Sequence, residues 1–334
     1  MSDTKENNIL VIGNGFDLYH GLKTKYIDFV NATMRKSDLK ENPFIKCFQL
    51  MADANDGWID CEDAIHRIVK LFDYILSEKN ETNGRMFSTN ALSKESKEII
   101  KRFECYFTEN DIMISGMRIA DGFVNRLGEF DKKKFLDSLK RDLDDTIKAL
   151  WHYLKIDMDH LECNKRSAQI ENIMPSYVVN FNYTNTITRL YGIDRNDVFY
   201  IHGDLNNESK NMVFGIPDDE EENLDFVYFK KYFQRIQKRT GLLDDNKIYL
   251  HKNEIGEILP VHTYFFGHSL SVTDGDIIKQ LSDLSDKITI YYLDQIDYET
   301  KVINLLKIFE KKNGVKMIQD GTVEFLEIED PVSL

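Results

Sequence analysis

The chain has 334 residues, with 43 Lys and Arg against 57 Asp and Glu, a formal charge of −14 at neutral pH. That charge opposes nonspecific binding to nucleic acid or to an anionic membrane surface. Hydrophobic residues at 42% exclude a wholly disordered chain, and only 5 Pro and 17 Gly exclude a fibrous or low-complexity one.

The start of the chain is polar, and the apolar run 9–12 is shorter than a signal peptide needs. Nowhere does a stretch approach the ~20 apolar residues of a membrane span. Cys47, Cys61, Cys105 and Cys163 are far apart and form no CxxC pair. Reduced thiols, no structural zinc and a cytoplasmic location are therefore expected.

The first predicted element is a buried strand over 8–12 that runs into Gly13-Asn14-Gly15. From Lys23 to about His160 apolar residues recur at helical spacing. Ile65, Ile68, Val69, Leu71, Phe72, Ile75 and Leu76 make one stripe; Phe135, Leu136, Leu139, Leu143, Ile147, Leu150 and Leu154 make another. Trp58 and Trp151 are expected to pack, while Asp60, Glu62 and Asp63 suit a helix start, where acids complement the dipole. After Pro175 short β-branched and aromatic runs take over, at 177–181, 198–201, 212–214, 262–266 and 288–292. Helical patterns separate them, over about 184–191, 225–239, 274–285 and 298–311, and 315–318 and 323–328 read as terminal strands. The acidic run Asp218 to Glu222 reads as a solvated loop in preference to a metal site.

Strands alternating with helices predict a mostly parallel sheet with covered faces. The fold class is thus α/β, a Rossmann-like domain of residues 1–30 plus 170–334 interrupted by a helical insertion, 31–169.

Four polar clusters follow four of the predicted strands. Gly13-Asn14-Gly15-Phe16-Asp17 is the first, with Thr24 and Tyr26 close behind. Glycines there allow close backbone approach, and a helix start turns amides toward phosphate. The third glycine of the dinucleotide fingerprint is absent, since Leu18 occupies its place, so a plain tight turn is the competing reading. In the second cluster Asn180, Asn182 and Thr184 follow a buried strand. A buried amide needs partners, and the strand-end position of Asn182 favours a ligand contact. Thr184 and Asn185 also suit a helix cap. The third is His202-Gly203, an imidazole suited to general-base work beside a residue that lets substrate approach. A structural histidine is the alternative. The fourth is Gly267-His268-Ser269-Leu270 with Asp274. It resembles a nucleophile elbow, but Ser271 replaces the final glycine and no histidine follows His268. Ser269 is therefore expected to face phosphate or ribose. Neither HExxH nor tight His spacing occurs, so no metal is expected. Together the clusters predict one cleft at the sheet edge.

The segment 9–29, with Gly13-Asn14-Gly15-Phe16-Asp17 at its centre, resembles the opening signature of the AbiH family of bacteriophage abortive-infection proteins. Asn180-Phe-Asn-Tyr-Thr184, Ile201-His-Gly203, Gly267-His-Ser-Leu270 with Asp274, and Trp58-Ile-Asp-Cys-Glu62 match its other motifs in order. More distantly the pattern is similar to sirtuin-type (Sir2-like) NAD-binding domains. Asn182 stands at that family's Thr-x-Asn-x-Asp asparagine, His202 at its catalytic histidine and Gly267 to Ser269 at its Gly-x-Ser loop. Thr184 replaces the motif's aspartate, and the zinc-binding cysteine pairs of sirtuin deacetylases are missing. The resemblance implies an anti-phage effector with NAD as substrate, cleaved at the nicotinamide–ribose bond. It gives Asn182 and His202 as catalytic residues. Gly13, Asn14, Gly15, Phe16, Asp17, Thr24, Tyr26, Thr184, Gly203, Gly267, His268, Ser269, Leu270 and Asp274 would then bind the nucleotide. A nucleotide-binding sensor without turnover is the alternative, favoured by Thr184. A homo-oligomer or a regulatory partner suits an enzyme that must be held silent. Because NAD is itself anionic, so acidic a chain is expected to hold it through backbone amides and helix ends.

Overall fold

A computed structural model describes residues 7–36, 39–77, 85–109, 116–158, 160, 163, 165–217, 224–241, 250–253, 255–329 and the backbone of 332–333. The acidic run 218–222 lies outside the described residues. The chain forms two compact units: Met1–Lys25, Leu154–Val213 and Arg235–Leu334 make one, and Tyr26–Tyr153 with Phe214–Gln234 make the other.

The first unit is built on a sheet of six strands among the described residues. They are β1 (Asn7–Ile12), β2 (Tyr177–Asn180), β3 (Val198–Tyr200), β4 (Val261–Phe266), β5 (Lys287–Tyr292) and β6 (Val323–Glu327). All pairings are parallel, in the order β3-β2-β1-β4-β5-β6. This is the doubly wound arrangement of a Rossmann-like α/β fold, with its switch point between β1 and β4. Both faces are covered, as a parallel sheet requires. Ile9 and Val11 join one core with Val179, Phe265 and Ile290, while Leu10 and Ile12 join the other with Phe16, Val178 and Ile187. Register fixes where the loops emerge. Ile12 pairs with Asn180 and with Phe266, and Asn180 with Tyr200. Four strands therefore end level, and the four polar clusters leave the sheet side by side.

Three expectations for this part of the chain fail for local reasons. Residues 212–214 form no strand: the Met212 amide donates to Ser209 O at 3.2 Å and that of Val213 to His202 O at 2.8 Å, so neither joins a ladder. Residues 315–318 lie inside the helix Glu310–Gln319. The apolar run there masked a helical spacing, Gly314, Met317 and Ile318, which turns Met317 and Ile318 onto the core. The helix expected over 225–239 is broken into a short turn, Leu224–Phe229, and the helix Lys231–Lys238. Phe229 O accepts from the Ile216 amide at 2.7 Å and Lys231 N donates to Ile216 O at 3.0 Å, which takes both groups out of a helical ladder.

The second unit contains the helices Tyr26–Met34, Pro43–Asp53, Cys61–Ser77, Lys94–Arg102 and Lys132–His152. Asn42 starts one of them by accepting the amides of Phe44 and Ile45, and Asp60 starts another by accepting those of Glu62 and Asp63. Phe44, Phe72, Phe103, Tyr106 and Phe135 are fully buried in edge-to-face contacts. A small antiparallel sheet, Met86–Ser88 with Gly116–Ile119 and Phe107–Glu109, was not foreseen, because three or four residues are too few to display a period of two. Trp58 does not pack as expected and is 66% exposed. It precedes the helix Cys61–Ser77 and lines an open cleft with Leu50, Met51 and Arg67. Glu62 is more than a dipole acid: it meets Lys231 at 2.7 Å in a buried ion pair.

Candidate functional site

The loop after β1 and the loop after β4 are packed backbone to backbone. Gly15 N donates to Gly267 O at 2.8 Å, Phe16 N to Gly13 O at 2.9 Å and Gly13 N to Phe266 O at 3.4 Å. A Cβ on Gly15 would come within 2.8 Å of the Gly267 backbone, and one on Gly13 within 2.9 Å of His268 Cα. Gly267 itself has φ +65°, and a Cβ there would sit 2.1 Å from Phe16 N. These glycines are needed for one loop to lie against the other. Gly203 behaves likewise, with φ +80° and the Asn211 carbonyl oxygen 2.0 Å from any Cβ. The sequence reading assigned them to a ligand, with the Gly13 to Gly15 amides facing phosphate; the amides of Gly13 and Gly15 are instead bonded within the protein.

The glycine positions therefore make a stability prediction. Gly267→Ala and Gly203→Ala should each cost at least roughly 1–3 kcal/mol from backbone conformation alone, with the steric term on top. Gly21 also has positive φ, +88°, but a Cβ there meets nothing within 4 Å. Urea unfolding should rank Gly21→Ala as the mildest of the three; equal losses would contradict the packing account.

Two side-chain staples join the loop after β2 to the loop after β1. Asn182 Nδ2 donates to Gly13 O at 2.9 Å, and Thr184 Oγ1 donates to Asp17 Oδ2 at 2.7 Å. Asn180 is fully enclosed and shapes this turn, accepting from the Asn182 amide and donating to Thr184 O. Asn182 Oδ1 has no hydrogen-bond partner among the described residues, so one face of that amide remains available. Asp17 is 1% exposed and its Oδ1 has no hydrogen-bond partner among the described residues. Burial pushes its pKa up to about 6, against the opposing bonds from Thr184 and Thr186.

His202 and Asp274 form a buried pair. His202 Nδ1 lies 3.1 Å from Phe181 O, which can only accept, so that nitrogen carries a proton. Nε2 lies 3.1 Å from Asp274 Oδ1. One further proton must sit between these two atoms, because an imidazole lone pair facing a carboxylate oxygen would repel it. His268 approaches the other oxygen, with Nε2 3.9 Å from Asp274 Oδ2. Its tautomer follows from Nδ1, which accepts the Leu270 amide at 3.0 Å. Arg235, from the helix Lys231–Lys238, completes the cluster: Nη2 is 3.7 Å from Asp274 Oδ1 and Nη1 is 2.5 Å from Asp276 Oδ2. All four central side chains are buried, His202 at 6%, Asp274 at 5%, His268 at 4% and Arg235 at 3% exposed. Leu270 adopts a left-handed φ of 52° while wholly buried, a strained conformation of the kind that clusters at functional sites.

Not every residue singled out in the sequence joins this centre. The Phe16 side chain is fully buried among Phe266, Tyr191 and His20, and Leu270 is a core residue. Ser269 is exposed. Asn14 is exposed too, and accepts from Thr24 Oγ1 at 2.5 Å. Tyr26 belongs to the helical unit, where its ring lies 5.8 Å from that of Phe214. Arg235 was missed because it sits in an ordinary amphipathic helix with no motif around it. Its signal lies in tertiary structure alone.

The family comparison decides the classification: the description "Bacteriophage abortive infection AbiH" matches residues 9–293. The chain belongs to the AbiH family. Membership implies a role in abortive infection of bacteriophage, and the matched span takes in all four strand-end clusters of this AbiH chain. No curated protein and no solved structure gives a significant match. Among the described residues of the AbiH chain no helix is long and apolar enough to cross a membrane, and no group of three or more His, Cys, Asp or Glu is placed to hold a metal ion.

Proposed function

We propose that the chain is an NAD+ hydrolase of phage defence, cleaving the nicotinamide–ribose bond in the sirtuin manner. The observation that carries this reading is that Asn182 and the His202–Asp274 pair follow neighbouring strand ends, where β1, β2, β3 and β4 end level. In the reaction the C1′–N bond breaks and its electron pair leaves on the nicotinamide nitrogen. Water then adds to the oxocarbenium-like carbon and loses a proton. Asn182 Oδ1 suits the orientation of that water. Removal of a proton from a ribose hydroxyl would raise electron density at the cleaving carbon, and His202 is placed for it. Its Nδ1 proton is held by Phe181 O, so exchange takes place at Nε2. Asp274 withdraws with the proton the two groups share, and the ribose hydroxyl takes its place against the freed lone pair.

The centre is buried, and the backbone beside it is tied down: Val213 N donates to His202 O at 2.8 Å, and Tyr183 Oη donates to Val213 O at 2.7 Å. Substrate must open a way to these side chains. An enzyme whose activity harms its host is well served by a site that opens only on demand.

A second reading, a nucleotide sensor without turnover, is favoured by the internal engagement of both His202 nitrogens and of the Thr184 hydroxyl. Incubating the full chain with NAD+ and separating the products by chromatography distinguishes the two. The hydrolase releases one nicotinamide and one ADP-ribose per NAD+ consumed. Calorimetric binding with no nicotinamide over hours would establish the sensor instead.

A further inference from the structure

An anionic nucleotide needs a positive counterpart in a chain of charge −14, and the amides of Gly13, Gly15 and Phe16 are bonded within the protein. Arg235 is the cation at the centre. Asp276 fixes its guanidinium through Nη1. Its Nε and Nη2, by contrast, are buried and have no hydrogen-bond partner among the described residues. Those two nitrogens form one edge of the guanidinium, along which two N–H bonds run parallel and match two oxygens of a carboxylate or a phosphate. Charged groups this deeply enclosed are rarely left with unmet donors. Position adds to the argument. The Asp274 oxygen nearest Nη2 is the same one that contacts His202 Nε2, so guanidinium and imidazole flank a single oxygen. A ribose whose hydroxyl meets the imidazole would carry the phosphate on its 5′ carbon toward the guanidinium edge.

We propose that the Nε–Nη2 edge of Arg235 is the phosphate-binding element of this site, gripping the 5′-phosphate of the ribose that is cleaved. The proposal rests on the NAD+ reading, and it moves phosphate recognition from the glycine loop to a side chain. Asp276 keeps its place on Nη1, so the phosphate comes to the unmet edge without displacing that carboxylate.

The test titrates the full chain with ADP-ribose by calorimetry, alongside Arg235→Lys. Lysine keeps a positive charge beside Asp276 but has no parallel pair of donors. Losing a bidentate charged contact should weaken ADP-ribose binding roughly tenfold or more, while nicotinamide riboside, which lacks the phosphate, binds both proteins alike. Equal ADP-ribose affinity in the two proteins overturns the proposal, as does an equal loss for nicotinamide riboside, or a wild-type chain that binds no ADP-ribose. Should the variant melt early, the unaltered protein still decides: it should cleave NAD+ at least about tenfold more efficiently than nicotinamide riboside, and parity overturns the edge. Binding that depends on Arg235 without any nicotinamide release would leave the edge standing and remove the hydrolase. Nicotinamide release that is indifferent to Arg235→Lys would do the reverse.

Discussion

Replacing His202 by alanine is expected to slow nicotinamide release from NAD+ by about 10²–10⁴-fold, the usual contribution of a general base. The proton inventory explains why the loss should fall on chemistry and not on binding. His202 holds one proton at Nδ1 toward Phe181 O and shares a second with Asp274 across 3.1 Å. Only the second can leave, with Asp274, and so free Nε2 to accept the ribose proton. Asp274→Asn should therefore lose nearly as much. Its amide can donate to Nε2, which fixes the imidazole as neutral with its lone pair occupied. The double variant should then be little worse than His202→Ala alone, because residues acting as one unit lose their effect once. Steady-state rates with each variant's melting temperature measure this, and His202→Gln guards against a collapse caused by leaving Asp274 without its partner. A His202→Ala protein that folds and retains wild-type turnover would end the assignment.

The fold was legible where periodicity is long and turns are marked. β1, β4 and β5 stand out as β-branched runs, and level strand ends follow from the parallel register once the strands are correctly placed. Where apolar runs are short, period two and period 3.6 cannot be told apart. Residues 315–318 fell on the wrong side of that ambiguity and 212–214 joined neither pattern. The motif residues proved close in space, as strand-end placement required, but their glycines were read for a ligand when they serve chain packing. A sequence states that a Cβ is unwelcome; it does not state what occupies the space. Arg235 marks the other limit. Nothing in Lys-Tyr-Phe-Gln-Arg-Ile distinguishes a cation buried with an open guanidinium edge from one on a solvated helix face.

Opposed pH dependences in Asp17 and His20 should cancel in the wild-type protein and reappear in single variants. Both lie on or beside the helix Asn14–Tyr19 and both are buried. Burial raises the Asp17 pKa from 3.8 to about 6. The native state therefore holds a proton that the unfolded state has lost between those values, so stability falls as pH rises from about 4 to about 6. Burial lowers the His20 pKa from 6.5 to about 4, against the bond to Phe16 O. Its Nδ1 lies 2.7 Å from that oxygen and Nε2 lies 2.8 Å from Tyr191 Oη, whose oxygen also accepts the Ser167 amide. Here the unfolded state holds the extra proton, so stability rises as pH climbs from about 4 to about 6.5. At 1.36 kcal/mol per pH unit each effect amounts to about 3 kcal/mol, with opposite sign. Asp17→Asn should remove the falling component and leave a difference from wild type that grows in the variant's favour by about 3 kcal/mol between pH 4 and 6. His20→Gln should show the mirror image, losing ground to wild type by a similar amount up to pH 6.5. Urea unfolding at half-unit intervals reads both difference curves, in which titrating groups elsewhere cancel. Flat differences for both variants would mean that neither group is held in its neutral form, and the polar junction between the loops after β1 and β2 would need another account.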